Sequence, residues 1–497
     1  MKKHFWPNNW IFILAAIGSA AGLGNIWRFP YLAYEHGGAA FVLAFIIANL
    51  IIGIPLLVLE TGLGQMTQKG ASGAFAYIKK KFSYVGWAAL TVGFIVLSYY
   101  MVVVSWGINY LGASLYLGWG GNTEGFFFNN ILNLSSGVDV IGGISWPVLS
   151  GLIVAWVLIY LAVQKGVQSI SKVVVWTATL PFAILAILIL RAITLDGASD
   201  GLKLFLVPEW SSLADPNLWL AAFSQVFFSL SLAFGIMIAY GSLKRHDGEI
   251  TSGVLWIAGG NFLVSIMSGF VVFGTLGYMA VQQGVSVSDV IAGGPSLAFV
   301  VFPQAINLLP AGNTLIALLF FGMFLLLAID SAFSLLEAVA VSFKDKYTAA
   351  SNKKIVLLLS LAGIASGVIF TTYGGLYILD IVDHFVVNYG LVVIGILEAL
   401  IVGWLWKSKE LEDFVNKNSK LQIGKGWNLS IRYITPLFLG WLLVWNIINE
   451  LKTPYGEYPV WALLCIGVLP ILLIPAIAFL AEKLTNRAKT GEENILN

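Results

Sequence analysis

The sequence predicts an all-α polytopic membrane protein with twelve transmembrane helices, in which two five-helix repeats are inverted relative to each other and helices 1 and 6 are broken. Three observations predict this fold. Of the 497 residues, 59% are hydrophobic and only 10% are charged, a balance that soluble globular proteins do not need. The apolar residues form segments long enough to cross a bilayer. Two of these segments, five apart in order, are interrupted by glycine and polar residues.

The apolar segments follow one another along the chain and are separated by polar stretches. A transmembrane helix needs about 20 predominantly apolar residues, and most of the segments reach that length. The predicted spans are residues 10–34, 39–67, 86–117, 147–163, 171–191, 218–242, 251–281, 311–342, 354–371, 375–406, 432–450 and 459–481.

The positive charges predict the orientation. If the N-terminus lies in the cytoplasm, the inner segments carry 23 of the 27 Lys and Arg residues. Because such loops stay in the cytoplasm, we expect both termini there, in a plasma (inner) membrane, and no cleavable signal peptide. The expected parts are a cytoplasmic segment 1–9, a first repeat 10–192, an extracellular loop 193–217, a second repeat 218–406, helices 11 and 12 with their preceding cytoplasmic loop 407–482, and a cytoplasmic tail 483–497.

The first span carries the most informative stretch. Gly18, Gly22 and Gly24 lie close together, and each costs a helix about 1 kcal/mol relative to alanine. Glycines alone are more typical of a helix-packing face. Asn25 and Arg28 follow at membrane depth, however, where polar groups are expensive and usually functional. We therefore expect a broken helix whose unpaired carbonyls and amides line a ligand cavity.

The sixth span repeats this pattern with Ser229, Ser231 and Gly235 in its middle. Because five spans are an odd number, the second copy of the repeat must insert upside down, so spans 1–5 and 6–10 form inverted repeats. Interrupted helices at matching positions of two halves indicate a transport site at the midplane of the membrane.

Polar side chains recur at a similar depth in other spans. An isolated Ser or Tyr there usually hydrogen-bonds to a neighbouring helix. An unpaired carboxylate is costlier and favours a cation or a basic partner, and hard cations such as sodium prefer oxygen ligands. The polar residues are Tyr99 and Tyr100 in span 3, Asn261 and Ser265 on one face of span 7, and Asp330 and Ser331 in span 8.

Two long segments are expected on the outer side. Residues 119–146 form one loop. Residues 282–310 are polar at first and more apolar later, so we expect them to fold back as a lid. The lone Cys465 lies in a late apolar span, which gives disulfides no role.

Residues 18–41, GSAAGLGNIWRFPYLAYEHGGAAF, closely resemble the first-helix signature of the neurotransmitter:sodium symporter family, which includes bacterial amino-acid:sodium symporters of the leucine transporter type. The resemblance continues through Gly53-Ile-Pro-Leu, Glu60, the span 6 motif, 268–273, 328–331, Asp383-His384 and 432–436. It implies the same inverted-repeat fold and sodium-coupled uptake by alternating access.

The resemblance implies a substrate site and two sodium sites at the breaks. The substrate site would comprise Ser19, Ala20, Leu23, Gly24, Val96, Tyr100, Phe228, Ser229, Ser231, Phe234, Ser331, Ala332 and Leu335. The first sodium site would comprise Ala20, Asn25, Ser229 and Asn261, and the second Gly18, Ala21, Leu327, Asp330 and Ser331.

The resemblance also implies two gates. Ordinary surface charge is the alternative for the Lys3 and Asp345 pair, because surface ion pairs are often energetically idle. Leu243 replaces a tyrosine that commonly steadies the inner gate in the family. The outer-gate residues are Arg28, Asp383 and Gln225, and the inner-gate residues are Lys3, Trp6 and Asp345.

Gly22 predicts the substrate class through the same resemblance. Family members that carry monoamines have an aspartate at this position, so a chain with glycine is expected to take a substrate that brings its own carboxylate. The expected wall around the substrate side chain is apolar, which predicts a neutral, mostly hydrophobic L-amino acid. Ala233 stands where many relatives have glycine, so the span 6 break is expected to yield less to a bulky side chain.

A chloride site is a further expectation. Ser265 stands where chloride-independent relatives carry a carboxylate, whereas Phe45 stands where the family's chloride-site tyrosine would be. Two sodium ions, a zwitterion and Asp330 together leave one positive charge, which a chloride would neutralise. We expect two sodium ions as co-transported partners and stimulation by chloride at Gln225, Ser229, Asn261 and Ser265.

Other function classes remain open at this point. An amino-acid sensor or receptor, or a channel, would keep the same binding site, and the substrate could instead be a small zwitterion such as glycine or an osmolyte. An enzyme is not expected, since the four histidines are scattered and none neighbours the cysteine. No nucleotide motif is present, and neither nucleic acid nor nucleotide is expected as a partner. The expected partners are the amino acid, the bilayer and a second copy in a homodimer.

Overall fold

The computed structural model describes residues 4–347 and 349–496, with side chains described up to residue 485. Within this part the chain is predominantly helical, and its one antiparallel bridge, between Ile144 and Thr372, lies outside any strand. The predicted all-α fold is therefore confirmed.

Ten helices of the described chain are long and apolar enough to cross a membrane, and the bent pair α1–α2 makes an eleventh span. The pair α9–α10 occupies the place of predicted span 6; the count of twelve and the domain boundaries stay predictions. The helices are α1 Asn9–Ala20, α2 Gly24–Glu35, α3 Ala39–Thr67, α4 Ala71–Ile78, α5 Lys80–Ser114, α6 Trp146–Val163, α7 Val167–Ile193, α8 Ala198–Leu206, α9 Pro216–Ser229, α10 Ile236–Ser242, α11 Thr251–Gln283, α12 Gly294–Leu308, α13 Asn313–Lys346, α14 Asn352–Thr371, α15 Gly375–Leu405, α16 Ser408–Asn418, α17 Lys425–Glu457 and α18 Val460–Thr485.

The first span is broken where the glycines predict it. α1 and α2 meet at an angle of 56°. Ala21 leaves the helical region with ψ 79°, and the Gly22 amide then donates to the Ala20 carbonyl over 3.0 Å. The same amide donates to Asn25 Oδ1 over 3.1 Å, so an amide side chain replaces part of the lost helical bonding.

The sixth span is broken over the residues between Ser229 and Ile236. Ser231, Ala233 and Gly235 all have positive φ, of 54°, 64° and 74°. This conformation costs a residue with a side chain about 1–2 kcal/mol, so the break must be held by its surroundings.

The broken helices are largely buried and pack against α3, α7, α11 and α13. The outermost helices turn large apolar side chains outward, as at Leu437 and Leu451, which are 70% and 81% exposed. Such faces suit contact with lipid. The predicted lid segment does fold back onto the helices: α12 places Phe299 against Trp27, and the Phe299 carbonyl accepts a hydrogen bond from the Tyr110 hydroxyl over 2.7 Å.

Candidate functional site

A cavity of about 40 Å³ lies between the two breaks. It contains every predicted substrate-site residue except Ala332, and it adds three residues that the prediction did not include, Gly22, Asn25 and Ile236. Its lining residues are Ser19, Ala20, Gly22, Leu23, Gly24, Asn25, Val96, Tyr100, Phe228, Ser229, Ser231, Phe234, Ile236, Ser331 and Leu335.

The cavity is polar at one end and apolar at the other. The Tyr100 hydroxyl faces the Leu23 amide and the Ser331 hydroxyl, beside the N-terminus of α2. A helix N-terminus with free amides favours an anionic group. Phe234 and Leu335 lie at the apolar end. The arrangement can therefore hold a small molecule with a carboxylate at one end and an uncharged group at the other.

The four predicted ligands of the first sodium site form one buried network. Asn25 Nδ2 donates to Asn261 Oδ1 over 2.8 Å, and Asn261 Nδ2 donates to Ser229 Oγ over 3.0 Å. The Ala20 carbonyl lies at the turn that Asn25 Oδ1 stabilises. All four residues are at most 3% exposed. They supply neutral oxygens at one place, which is the donor set that sodium prefers.

The second predicted site centres on Asp330. This carboxylate is completely buried, and among the described residues neither of its oxygens accepts a hydrogen bond of good geometry, although the Thr177 hydroxyl faces it. A Cβ on Gly18 would lie 2.1 Å from Asp330 Oδ2, so only glycine allows the backbone of α1 to approach so closely. A buried carboxylate without a partner is costly. A bound sodium ion would supply the missing charge.

The remaining residues of the second site are close to Asp330 in α1 and α13. Ser331 Oγ donates to the Leu327 carbonyl over 3.4 Å and to the Ser19 carbonyl over 3.1 Å. Ala21 lies at the bend that ends α1. Gly18, Leu327, Asp330 and Ser331 therefore lie close together on two neighbouring helices.

The predicted chloride residues overlap the first sodium site. Ser265 Oγ accepts from Asn25 Nδ2 over 2.7 Å and donates to the Asn261 carbonyl over 3.2 Å. Gln225 is completely buried and donates to the Gly24 carbonyl over 3.3 Å. The group therefore offers amide and hydroxyl donors without a fixed negative charge.

Two of the three predicted outer-gate residues, Arg28 and Asp383, line a vestibule of about 490 Å³ that adjoins the small cavity, whereas Gln225 is buried against the Gly24 carbonyl. Arg28 donates to Ser224 Oγ over 2.9 Å, and its guanidinium carbon lies 5.5 Å from the centre of the Phe228 ring. Asp383 instead accepts a hydrogen bond of 2.6 Å from the Tyr99 hydroxyl. Within the described chain these two groups form no ion pair, although both line the vestibule.

Trp6, a predicted inner-gate residue, is buried and only 4% exposed. Its indole N–H donates to the Tyr240 carbonyl over 3.0 Å, and its amide donates to the Leu243 carbonyl over 2.9 Å. Asp345 accepts from the Gly70 amide over 2.6 Å. Its predicted partner Lys3 lies outside the described residues.

No role in the site is assigned to Glu60 or to Ser334 from the sequence alone. Glu60 Oε1 accepts from the Ala233 amide over 2.8 Å, and Ser19 Oγ donates to Ser334 Oγ over 2.7 Å. The sequence could have marked Glu60 as a candidate functional residue, because, like Asp330, it is a carboxylate inside an apolar segment. A single serine in a membrane helix carries no such signal.

Comparisons with known proteins identify the family to which the chain is similar. The sequence model of the sodium:neurotransmitter symporter family matches residues 3–124 and 119–485. The chain is 38% identical over 496 residues to an uncharacterized sodium-dependent transporter of Methanocaldococcus jannaschii, with 99% of both chains covered. It is 32% identical over 506 residues to the human sodium- and chloride-dependent GABA transporter 2, covering 93% of this chain and 83% of the relative. It is 31% identical over 505 residues to a dog sodium- and chloride-dependent taurine transporter, covering 93% and 81%.

Proposed function

Because the chain belongs to the sodium:neurotransmitter symporter family and is a sodium-dependent transporter rather than an enzyme, we propose that it takes up a neutral, mostly hydrophobic L-amino acid by alternating access. The observation that carries this proposal is the surroundings of Gly22. A Cβ on this residue would lie 2.7 Å from Ser331 Oγ and 3.6 Å from the Tyr100 hydroxyl. This crowding disfavours a carboxylate of the chain's own at position 22, which supports a substrate that brings its own acid group.

The proposed substrate pose follows from the polarity of the cavity. Its carboxylate faces the N-terminus of α2 and the Tyr100 hydroxyl, while its ammonium group faces carbonyls at the two breaks. The side chain then contacts Val96, Phe234 and Leu335, which carry no charge. An ionic side chain would lose its hydration at this wall without a partner, which disfavours acidic and basic amino acids.

A second candidate substrate is a small zwitterion such as glycine or an osmolyte. Two observations favour it: relatives named for GABA and taurine are 31–32% identical over most of the chain, and the cavity measures only about 40 Å³. Both candidates carry an acid and an ammonium group. A hydrophobic amino acid and glycine differ in the side chain on the α-carbon, whereas GABA and taurine have more atoms between the two charged groups.

Two co-transported sodium ions and one chloride complete the proposal. The first sodium would bind in the Asn25–Asn261 network together with the substrate acid, and the second would bind at Asp330. Chloride would lie beside Ser265 and Gln225, where neutral donors converge.

The excess of Lys and Arg in alternate loops supports a plasma (inner) membrane location with both termini in the cytoplasm.

The test is transport by the purified full chain in proteoliposomes. A labelled panel of the twenty amino acids, GABA and taurine is offered with sodium high outside, and with equal sodium on both sides as the control. The proposal expects neutral amino acids to accumulate only under the sodium gradient. Binding without accumulation would identify a sensor, and downhill flux without sodium coupling would identify a channel.

A further inference from the structure

Lys244 lies at the inner end of α10 and directly beneath the first helix. It is only 4% exposed. Its ammonium nitrogen lies 4.1 Å from the centre of the Phe12 ring in α1 and donates a hydrogen bond to the Glu249 carbonyl. Because Phe12 is itself completely buried, α1 cannot move away without uncovering Lys244.

The turn that carries Lys244 is hydrogen-bonded to the end of α3 and to Gln68, which directly follows it. Gln65 Nε2 donates to the Arg245 carbonyl over 2.8 Å, and Gln68 Nε2 donates to the Lys244 carbonyl over 2.9 Å. The segment with Trp6 donates one hydrogen bond to Tyr240 in α10 and one to Leu243 at the start of the turn. An opening of the inner side that moves α1 therefore separates Phe12 from a turn that stays in place.

The buried ammonium group is poorly satisfied in the closed arrangement. An ammonium group has three donors, and within residues 4–347 and 349–485 Lys244 uses one on a carbonyl and forms no ion pair. The Glu249 carboxylate is bound elsewhere, to the amides of Ser252 at 2.8 Å and Lys420 at 3.2 Å. Burial lowers the pKa of Lys244 from 10.5 to about 7, and the Glu249 charge opposes this only in part.

Few other charged groups lie around this amine. α1 has no titratable side chain, and α3 contributes the neutral Gln65 and Gln68. On its own turn, Arg245, His246 and Asp247 are exposed to solvent.

We propose that Lys244 is a proton-binding site that controls the inner gate, at which a bound proton favours separation of α1 and its loss favours the closed packing. The charged amine gains water when α1 leaves, whereas the neutral amine gains much less. The open arrangement therefore binds the proton more tightly, and acid on the inner side shifts the equilibrium towards it. This inference rests on the proposed alternating access but not on the proposed substrate.

The size of the effect follows from linkage. A closed-state pKa of about 7 and an open-state pKa near that of free lysine predict that the ratio of open to closed protein rises about tenfold between pH 8 and pH 6. A permanently charged side chain would remove the pH dependence and hold the ratio at its acidic value. A neutral side chain of similar shape would also remove the pH dependence, but it would keep the ratio of open to closed protein low at every pH.

The experiment measures exposure of the inner side and needs no substrate. Ser242, which is completely buried at the inner end of α10, is replaced in a Cys465→Ala background by Ser242→Cys, and its reaction with a maleimide is timed in detergent with sodium absent. The same reporter is placed in Lys244→Arg, Lys244→Met and, as the matched control on an exposed neighbour, Arg245→Met. Ratios between variants at each pH cancel the ionisation of the thiol itself.

We expect the wild-type rate to equal the Lys244→Arg rate at pH 6 and to fall about tenfold below it at pH 8. The Lys244→Met rate stays lowest throughout, and Arg245→Met follows the wild type. A constant ratio of wild type to Lys244→Arg across this range overturns the proposal, and this comparison holds even if Lys244→Met fails to fold. If the ratio of wild-type to Lys244→Arg labelling rates changes with pH but proteoliposomes take up no amino acid, only the proposed substrate class is rejected.

Discussion

The Glu60 carboxylate accepts a 2.8 Å hydrogen bond from the amide of Ala233, which has positive φ in the middle of the second break. The side chain of α3 thus holds the strained backbone that separates α9 from α10. This relationship explains how an interrupted helix can keep one shape in the membrane, where every backbone amide needs a partner.

Replacing Glu60 tests this role. Glu60→Ala leaves the Ala233 amide buried without an acceptor, which costs about 1–3 kcal/mol. We expect a lower thermal unfolding temperature and weaker sodium-dependent binding of the best amino acid in the panel. Glu60→Gln keeps an acceptor oxygen and serves as the control. Equal losses in the two variants would show that the charge, rather than the hydrogen bond, is what matters.

The close approach at Gly22 predicts a large effect of a single methyl group. Gly22→Ala places a Cβ 2.7 Å from Ser331 Oγ, so the polar end of the cavity must shift, and we expect amino-acid affinity to fall at least tenfold. The matched control is Gly259→Ala in α11, where a Cβ meets nothing within 4 Å. Equilibrium binding of the labelled amino acid measures both variants, and similar affinities would refute the assigned pocket.

Ala233 predicts a change in selectivity. Ala233→Gly removes the side chain from a position with φ 64°, which relieves about 1–2 kcal/mol of backbone strain and lets the break adapt. We expect bulky neutral amino acids to compete several-fold better, while glycine and alanine change little. The competition panel measures this directly. An unchanged order of competitors would mean that the break does not limit substrate size.

Chloride dependence is decided by anion replacement. With gluconate in place of chloride, wild-type uptake should fall because the positive charge of two sodium ions and a zwitterion is then not balanced. Ser265→Glu supplies a fixed carboxylate beside Asn25, so its uptake should no longer respond to chloride. Ser268→Ala, one turn away in α11 and also buried, is the control. A wild-type rate that is the same in both salts would exclude the chloride site.

Much of the fold and site could be predicted from the sequence because its signals are physically costly. Glycines beside Asn25 and Arg28, and a lone Asp330 in an apolar span, are expensive in a membrane and need a reason to be there. The membrane-spanning segments can be predicted from their apolar residues for a similar reason, because in lipid only helices and closed barrels satisfy all backbone hydrogen bonds.

The rest depends on contacts between distant parts of the chain, which local sequence does not encode. The sequence around Lys244 does not predict that its ammonium group packs against Phe12, which lies more than 200 residues earlier. Phe228 and Arg28 likewise share the vestibule wall only because the two breaks meet. The separation of Arg28 from Asp383 is a property of one conformation, and the sequence predicts the pair without predicting whether it is closed.

The most direct test of the central claim is sodium-driven accumulation in proteoliposomes by wild type, Asn25→Ala and Asp330→Ala, using the labelled amino acid that competes best in the panel. If the broken helices form the sodium and substrate sites, the wild type concentrates the amino acid above its outside level only when sodium is higher outside, and both variants lose this accumulation while remaining folded. Sodium-driven accumulation that persists in both variants would contradict the account.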